Sequence, residues 1–522
     1  MFESLTSYDF YGTIYSLIPP LLMIILVLLT KRVLISLGAG IVVGIFMIEN
    51  FNFVESLKGI WFTFQNIFYS EGEWDFWSIQ LILFLILLGI LIAFLTATGG
   101  ARAFGNWAIE RVKTQEGSQY TAGLLGIAIF IDDYFNSLTI GQVARPITDR
   151  QKVSRAKLAY IIDSTSAPVT VLSPISSWGA YIIGIITLII SDLGLSNVQA
   201  FDAFIRTIPL NYYAIGAIIL VFITIYFKVD FGLMDKHERR AQETGELIDP
   251  SRPDVPGDLK DGVIESENGK IYHLILPIII LVVSTVTSMI ITGIQATEGD
   301  LSIISIFENT DVNLSLVIGG LISVIVASVL YFLQSGEKTA FPRVTLEGIR
   351  AMLPAIYILV LAWMIVSVIG ELGTDEYLAN IVKENDFNIA YIPLVLFLIS
   401  GFMAFATGTS WGTFGIMLPI AAAIAANVDV TFLIPSMAAV LAGSVFGDHV
   451  SPISDTTVLS STGAGSNHID HVLTQLPYAL LVAGAASIGY LMYGLTTSVL
   501  LGLAVTIGIL FIVVYVISRK RN

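Results

Sequence analysis

Long apolar runs alternate with short polar and charged clusters along almost the whole chain. A run of roughly 18 or more apolar residues is long enough to cross a bilayer as a helix. The pattern predicts crossings near 13–30, 33–49, 77–98, 158–190, 210–228, 271–292, 313–333, 354–371, 430–465, 472–495 and 499–517. The expected fold class is an all-α polytopic membrane protein.

Two apolar segments fit poorly as crossings. Lys and Arg concentrate in cytoplasmic loops. The segment 118–143 has Arg111 and Lys113 before it and Arg145, Arg150, Lys152, Arg155 and Lys157 after it. Both ends are thus expected on the cytoplasmic side, with a re-entrant turn near Asp132-Asp133-Tyr134-Phe135-Asn136. The segment 388–426 has its ends near Glu384, Asp386 and Asp429, and is expected to turn back around Thr407-Gly408-Thr409-Ser410-Trp411-Gly412. The alternative for each is one or two ordinary helices. Lys31, Arg32, Arg102, Lys338, Arg343, Arg350 and the Arg519-Lys520-Arg521 tail fall on one side of the predicted crossings. Glu49, Glu55, Glu71, Glu73, Asp75, Glu298, Asp300, Glu308 and Asp311 fall on the other. This orients the N-terminus outside and the C-terminus in the cytoplasm.

The order of elements repeats. Three crossings, a hairpin, a long segment and a further crossing occur before the polar stretch 229–270, and again after it. Ser137, nine residues before Pro146, matches Ser410, nine residues before Pro419, at an offset of 273. The tetrad SPIS occurs at 173–176 and at 451–454, an offset of 278. Five crossings per unit is an odd number, so the second unit should be inverted relative to the first. Such inverted-topology repeats, with a re-entrant hairpin and a broken helix in each, are a recurrent plan for secondary transporters. The expected divisions are a first membrane repeat at 1–228, a cytoplasmic polar linker at 229–270, a second, inverted repeat at 271–495, and an eleventh C-terminal helix with a basic tail at 496–522. The linker holds eleven acids and six bases and reads as a solvated connector.

Composition narrows the function. Only 13% of the 522 residues are charged, against about 25% in soluble domains. A net charge of −15 argues against nucleic acid as a partner. The chain has no cysteine, which excludes disulfides and cysteine metal sites. The start, MFESLTSYDFYGT, lacks the basic region of a cleavable signal peptide. GxxxxGK[ST] and HExxH are both absent, which speaks against an ATP-driven pump and an intramembrane metalloprotease. The expectation is a protein that is not an enzyme.

A proline inside a helix frees a carbonyl one turn earlier, and in lipid such broken backbone survives only against protein or a water-filled cavity. A Ser-Pro-x-Ser break therefore offers carbonyl and hydroxyl oxygens, hard ligands suited to a small cation. The plain alternative is a kink whose serines satisfy nearby carbonyls. The carboxylates favour the first reading, because ionisable groups at membrane depth are costly and usually functional. Asp448 and Asp455 flank the second SPIS, with His449 beside them, and Asp132 and Asp133 sit at the first hairpin turn. These four acids are the candidate proton and cation carriers, because burial disfavours a bare carboxylate and lets it trade a proton for a cation. Asn136, Ser137, Asp163, Ser173, Ser176, Thr407, Gly408, Thr409, Ser410, His449, Ser451, Ser454 and Thr456 are the candidate ion or substrate ligands. Asp163, close after Lys157, could instead pair at the interface. His468, Asp470 and His471 in SNHIDH suggest a weak metal cluster, but a solvated cytoplasmic turn is the simpler reading.

The stretch GDHVSPISDTTVLSSTGAGSNHIDHVLTQLPYAL resembles the signature region of the NhaC family of Na⁺/H⁺ antiporters. IFIDDYFNSLTIGQVARPITD and STSAPVTVLSPISSWG resemble its counterpart in the first repeat. The resemblance implies the ion-transporter-superfamily architecture, a homodimer, and a multi-pass protein of a bacterial inner or plasma membrane. It also implies Na⁺ as the coupling ion, with no other cofactor. The expected function is sodium-coupled secondary transport by alternating access, first as Na⁺/H⁺ antiport. For that reading the first choice of Na⁺ ligands is Asp455, Ser451, Ser454 and Thr409. The family resemblance equally covers symporters and exchangers of small organic anions, such as malate and lactate, or of amino acids. A channel fits two inverted halves less naturally.

Overall fold

The computed structural model describes residues 10–521 apart from 31, 71, 110, 131, 175, 195–198, 253–254, 256–262, 265, 298–300, 335–337, 375, 378–379 and 381–388. Lys31, Glu71, Ile175, Glu298, Asp300, Glu384 and Asp386 lie outside the described residues. The chain is almost wholly helical; the described sheet is a two-stranded ribbon pairing Tyr69–Ser70 with Glu73–Trp74. Among the described residues, eight helices are long and apolar enough to cross a membrane, or nine if one bent pair is a single span. The all-α polytopic class follows from these lengths.

Helices α1 (Ile18–Thr30), α2 (Val33–Ile48) and the amphipathic α3 (Phe53–Asn66) lead to α4 (Phe76–Ala97). A short α5 (Gly100–Ile109) precedes the first helical pair, α6 (Gln115–Ala128) and α7 (Asp133–Arg150). Next come α8 (Arg155–Thr165), α9 (Ala167–Thr170), α10 (Ser177–Asp192), α11 (Ala200–Thr207), α12 (Tyr212–Phe227) and α13 (Leu233–Thr244). The second half runs through α14 (Tyr272–Ala296), α15 (Ile303–Glu308), α16 (Val312–Leu333) and α17 (Phe341–Glu371). It continues with the pair α18 (Ile392–Thr407) and α19 (Ser410–Val428), then α20 (Leu433–Val450), α21 (Asp455–Ala464), α22 (His468–Thr496) and α23 (Val499–Arg521).

Local chemistry explains the breaks. The predicted crossing 158–190 is divided into α8, α9 and α10, and 430–465 into α20 and α21. Proline disfavours helix at the residue before it and donates no hydrogen bond, so each SPIS interrupts the helix. The last serine then starts the next helix: Ser176 Oγ accepts from Gly179 N at 2.9 Å, and Ser454 Oγ accepts from Thr457 N at 3.4 Å. A side-chain oxygen in this position satisfies a backbone donor that the first helical turn leaves open. In the first pair α6 ends at Ala128 and α7 already begins at Asp133, so the break falls slightly before the expected Asp132–Asn136. Gly408 joins α18 to α19 at φ +71, a left-handed conformation that favours glycine. The arm Ile389–Thr407 is itself long and apolar enough to cross a membrane.

The linker departs from its expected solvated state. Residues 233–244 form α13, whose face of Met234, His237, Glu238 and Ala241 is buried. Apolar residues at helical spacing can dock even a strongly charged segment. One apolar core gathers side chains of α8, α10, α12, α18–α20, α22 and α23. A second joins α4, α14, α16 and α17 and takes in Leu138 of α7 and Leu459 of α21.

Candidate functional site

The first pair and the second broken helix meet backbone to backbone. A Cβ added at Gly141 of α7 would lie 2.1 Å from the Gly463 carbonyl oxygen of α21, and one at Gly463 would lie 2.3 Å from that of Ser137. Only glycine permits this approach, and it carries Ser137 Oγ to 3.1 Å from Ser460 Oγ and 2.9 Å from Ser166 Oγ. Reciprocally, the second pair meets the first broken helix: the rings of Tyr181 on α10 and Trp411 on α19 lie 4.5 Å apart. Trp178 also meets Phe414 edge to face at 5.6 Å.

These contacts assemble carboxylates from both halves of the chain. Asp132, Asp133, Tyr134, Thr409 and Asp455 line one cavity of about 640 Å³ together with Trp77, Tyr181, Trp411 and Asp311. Tyr134 donates its hydroxyl to Asp455 Oδ2, and Asp455 Oδ1 accepts from Thr456 N at 2.8 Å. Trp178 Nε1 donates to Asp133 Oδ1 at 2.8 Å. Asp448 stands behind Thr456: its Oδ2 accepts from Ser410 Oγ at 2.9 Å and from Thr456 Oγ1 at 3.4 Å. Asp133 Oδ2, Asn136 Oδ1 and Asp448 Oδ1 are buried and have no hydrogen-bond partner among the described residues. Buried acceptors left open are rare in folded proteins, and hard oxygens of this kind suit Na⁺. The hydroxyl and indole donors that reach these acids are neutral, so carboxylate charge here needs a proton or a cation for balance.

Asp163 sits deeper. Its Oδ1 accepts from Ser460 Oγ at 2.9 Å and its Oδ2 from Gln475 Nε2 at 2.6 Å. Nε2 of His471 lies 3.1 Å from the same Oδ2, and Nε2 of His449 lies 3.7 Å from it. His449 Nδ1 lies 2.8 Å from the Tyr213 hydroxyl. Two expectations are corrected here. Asp163 does not pair at an interface with Lys157, which donates to Asp230 at 2.6 Å. His468 and His471 are not on a solvated turn: both are buried, and His468 Nε2 lies 2.9 Å from the Pro452 carbonyl oxygen. Asn467, itself half-buried, caps α22, and the histidines that follow it are turned into the core. Nor do they form a metal cluster with Asp470, whose neighbours are His237 and Asp249. Arg252 contacts Asp470, and Arg240 contacts His237 and Asp249, so guanidinium charge already occupies that cluster.

The other predicted residues are spread around the centre. Asn136 Nδ2 donates to the carbonyls of Gly126 at 2.7 Å and Ile129 at 2.6 Å, which fixes the turn of the first pair. Thr409 Oγ1 caps α19 through Gly412 N at 3.5 Å, while Thr407 Oγ1 turns back to the Met403 carbonyl. Ser451 Oγ is bonded to the Phe405 carbonyl at 2.9 Å, and Ser454 Oγ is 2.7 Å from Thr456 Oγ1. Ser176 Oγ is bonded to the carbonyls of Thr170 and Ser173. Of the expected Na⁺ set, Asp455 and Thr409 face the cavity, whereas the hydroxyls of Ser451 and Ser454 have local partners. The sequence reading passed over Tyr134, Trp178, Tyr213, Ser460 and Gln475, although Tyr134 and Trp178 adjoin motifs it had singled out.

The profile of the Na⁺/H⁺ antiporter family matches residues 169–495. Along nearly its whole length the chain is similar to a protein of Haemophilus influenzae described as uncharacterized, at 44% identity over 98% of this chain and 97% of the relative. Shorter matches join it to a second Haemophilus influenzae protein, described as an uncharacterized Na⁺/H⁺ antiporter, at 37% identity over 20% of this chain and 22% of the relative. Another joins it to the malate-2H⁺/Na⁺-lactate antiporter of Bacillus subtilis, at 36% identity over 19% of this chain and 22% of the relative.

Proposed function

The chain belongs to the Na⁺/H⁺ antiporter family of multi-pass membrane transporters, and from that premise we propose that it exchanges Na⁺ for H⁺ by alternating access. The observation that carries this reading is the shared site of Asp132, Asp133 and Asp455, with Asp448 one hydroxyl away. Na⁺ entering the cavity displaces protons from these acids, and protons arriving from the other side displace Na⁺. One bound species at a time keeps the buried charge balanced, which couples the two fluxes.

The reciprocal packing of α7 on α21 and of α10 on α19 supports two inverted repeats, each giving a hairpin and a broken helix to one site. In the proposed orientation, Asp311 and Trp77 at the cavity mouth face outside and the C-terminal tail faces the cytoplasm. The test is transport in proteoliposomes carrying an imposed Na⁺ gradient and no organic solute. Na⁺-driven proton movement is expected. Its absence, together with Na⁺-dependent uptake of one labelled solute, would replace antiport by the second reading.

That second reading is Na⁺-coupled transport of a small organic anion or amino acid. The size of the cavity favours it: about 640 Å³ falls within the roughly 300–1,000 Å³ typical of small-molecule pockets. The name of the Bacillus subtilis relative points the same way.

A further inference from the structure

The cavity that holds Asp133 and Asp455 is far larger than a bare Na⁺, at about 640 Å³. What else it admits is set by the charge of its wall. Besides Asp133 and Asp455, the wall includes Asp311, an exposed residue at the N-cap of α16. The groups that donate to these three carboxylates are all neutral. Trp178 Nε1 donates to Asp133 Oδ1 at 2.8 Å, the Tyr134 hydroxyl and Thr456 N donate to Asp455, and Leu314 N donates to Asp311 Oδ1 at 2.9 Å. No Lys, Arg or His is among the described residues that line the cavity. A separate observation comes from Asp133, which is only 2% exposed and whose Oδ2 has no hydrogen-bond partner among the described residues. A buried acceptor left open is costly, and it asks for a donor or a cation. Trp77, Tyr181 and Trp411 make the neighbouring wall aromatic, and ring faces attract cations.

We infer that this cavity admits an organic ammonium cation, a small alkylamine or diamine, at the acids where the proposed exchange binds Na⁺. The inference rests on that reading of the acids and names the class of organic solute that fits beside them. An ammonium group brings one positive charge and several N–H donors. It therefore satisfies Asp133 and Asp455 as Na⁺ would and keeps the buried charge balanced. Its methylenes suit the aromatic wall, which also favours the charge. In a diamine the second ammonium has Asp311 as a partner. A bare organic anion meets the opposite conditions. It adds like charge to a wall of carboxylates, which opposes binding, and it finds no basic side chain among the described lining residues.

The test is calorimetric titration of the purified full chain in uncharged detergent, with ionic strength held by potassium chloride. The probes are butylamine, putrescine and succinate, which share a carbon count and differ in charge; near neutral pH both amines are protonated, as lysine is. Saturable binding of both amines, displaced by Na⁺, is expected, with no binding of succinate whether or not Na⁺ is present. Asp455→Asn should weaken both amines about tenfold, the scale of one lost charge-assisted hydrogen bond. Asp311→Asn keeps a capping side chain and removes the charge. It should weaken putrescine by up to about fivefold, the scale of one exposed ion pair, and leave butylamine nearly unchanged. Absence of saturable amine binding in protein that binds Na⁺ would overturn the inference. So would amine binding that Na⁺ does not displace or that neither substitution weakens, and so would succinate binding promoted by Na⁺. Amine binding without Na⁺-driven proton movement in proteoliposomes would remove the exchange reading and keep this one; proton movement without amine binding would do the reverse.

Discussion

Asp448 and Asp455 are seven residues apart in sequence, yet each takes a key partner from a different helical pair: Ser410 from the second, Tyr134 from the first. A carrier role for Asp455 predicts that Asp455→Asn abolishes Na⁺-driven proton movement while the protein still folds, measured as flux and as elution from a sizing column. Tyr134→Phe should retain transport but shift its pH profile, since it removes the donor and keeps the ring. Outside the membrane spans, Glu238 of α13 offers a titration of known sign. Burial, and secondarily the charge of Asp230, pushes its carboxyl up to about 7, against the donors Ser154 N and Gln115 Nε2. A carboxyl raised in the fold favours the docked state when protonated. Docking of α13 should therefore weaken as pH rises from about 4.5 toward 7 and then level off. Hydrogen exchange across 233–244 should follow that curve, and Glu238→Gln should flatten it. At this scale the acids were legible because charge is conspicuous in an apolar chain. Their partners were not: Trp178 and Tyr134 read as ordinary membrane aromatics, and nothing local links Gln475 to Asp163, 312 residues away.

Among the elements, the two SPIS breaks act as matched helix starts, and this changes what their serines do. The hydroxyls of Ser176 and Ser454 are spent on capping and local bonds, so their contribution to the site is to end one helix and aim the next. Ser454→Ala should cost about 1 kcal/mol of stability, the usual value of a lost N-cap, with a smaller effect on Na⁺ affinity than Asp455→Asn; a thermal melt and a Na⁺ titration separate the two. The crossing of α7 and α21 is less forgiving. Gly463→Val must push a side chain against the Ser137 carbonyl. It should lower stability by about 1–3 kcal/mol, as overpacking does, and open the Ser137–Ser460 contact. The breaks themselves were legible from proline chemistry. The depth of the SNHIDH histidines was not, because a polar turn signals solvent unless the fold happens to cover it. The docking of α13 was masked in the same way, by the density of charge around its narrow apolar face.

For the whole molecule, apolar run lengths carried the class and the order of helices, while the meeting of the two halves depends on contacts spanning some 300 residues. The proposed topology can be checked directly, since the chain has no cysteine to confuse labelling. Ser302→Cys should react with an impermeant maleimide added outside, and Arg519→Cys only after the membrane is opened. Reversed reactivity would invert the proposed orientation without moving the site. The central claim is that acids from both halves form one exchange site for Na⁺ and H⁺. Its most direct test is internal pH in proteoliposomes given an outward or inward Na⁺ gradient in buffer free of organic solutes. The expected result is proton movement opposite to Na⁺, reversed when the gradient is reversed and lost in Asp455→Asn. An unchanged internal pH in liposomes holding folded protein, or full activity in Asp455→Asn, would contradict it.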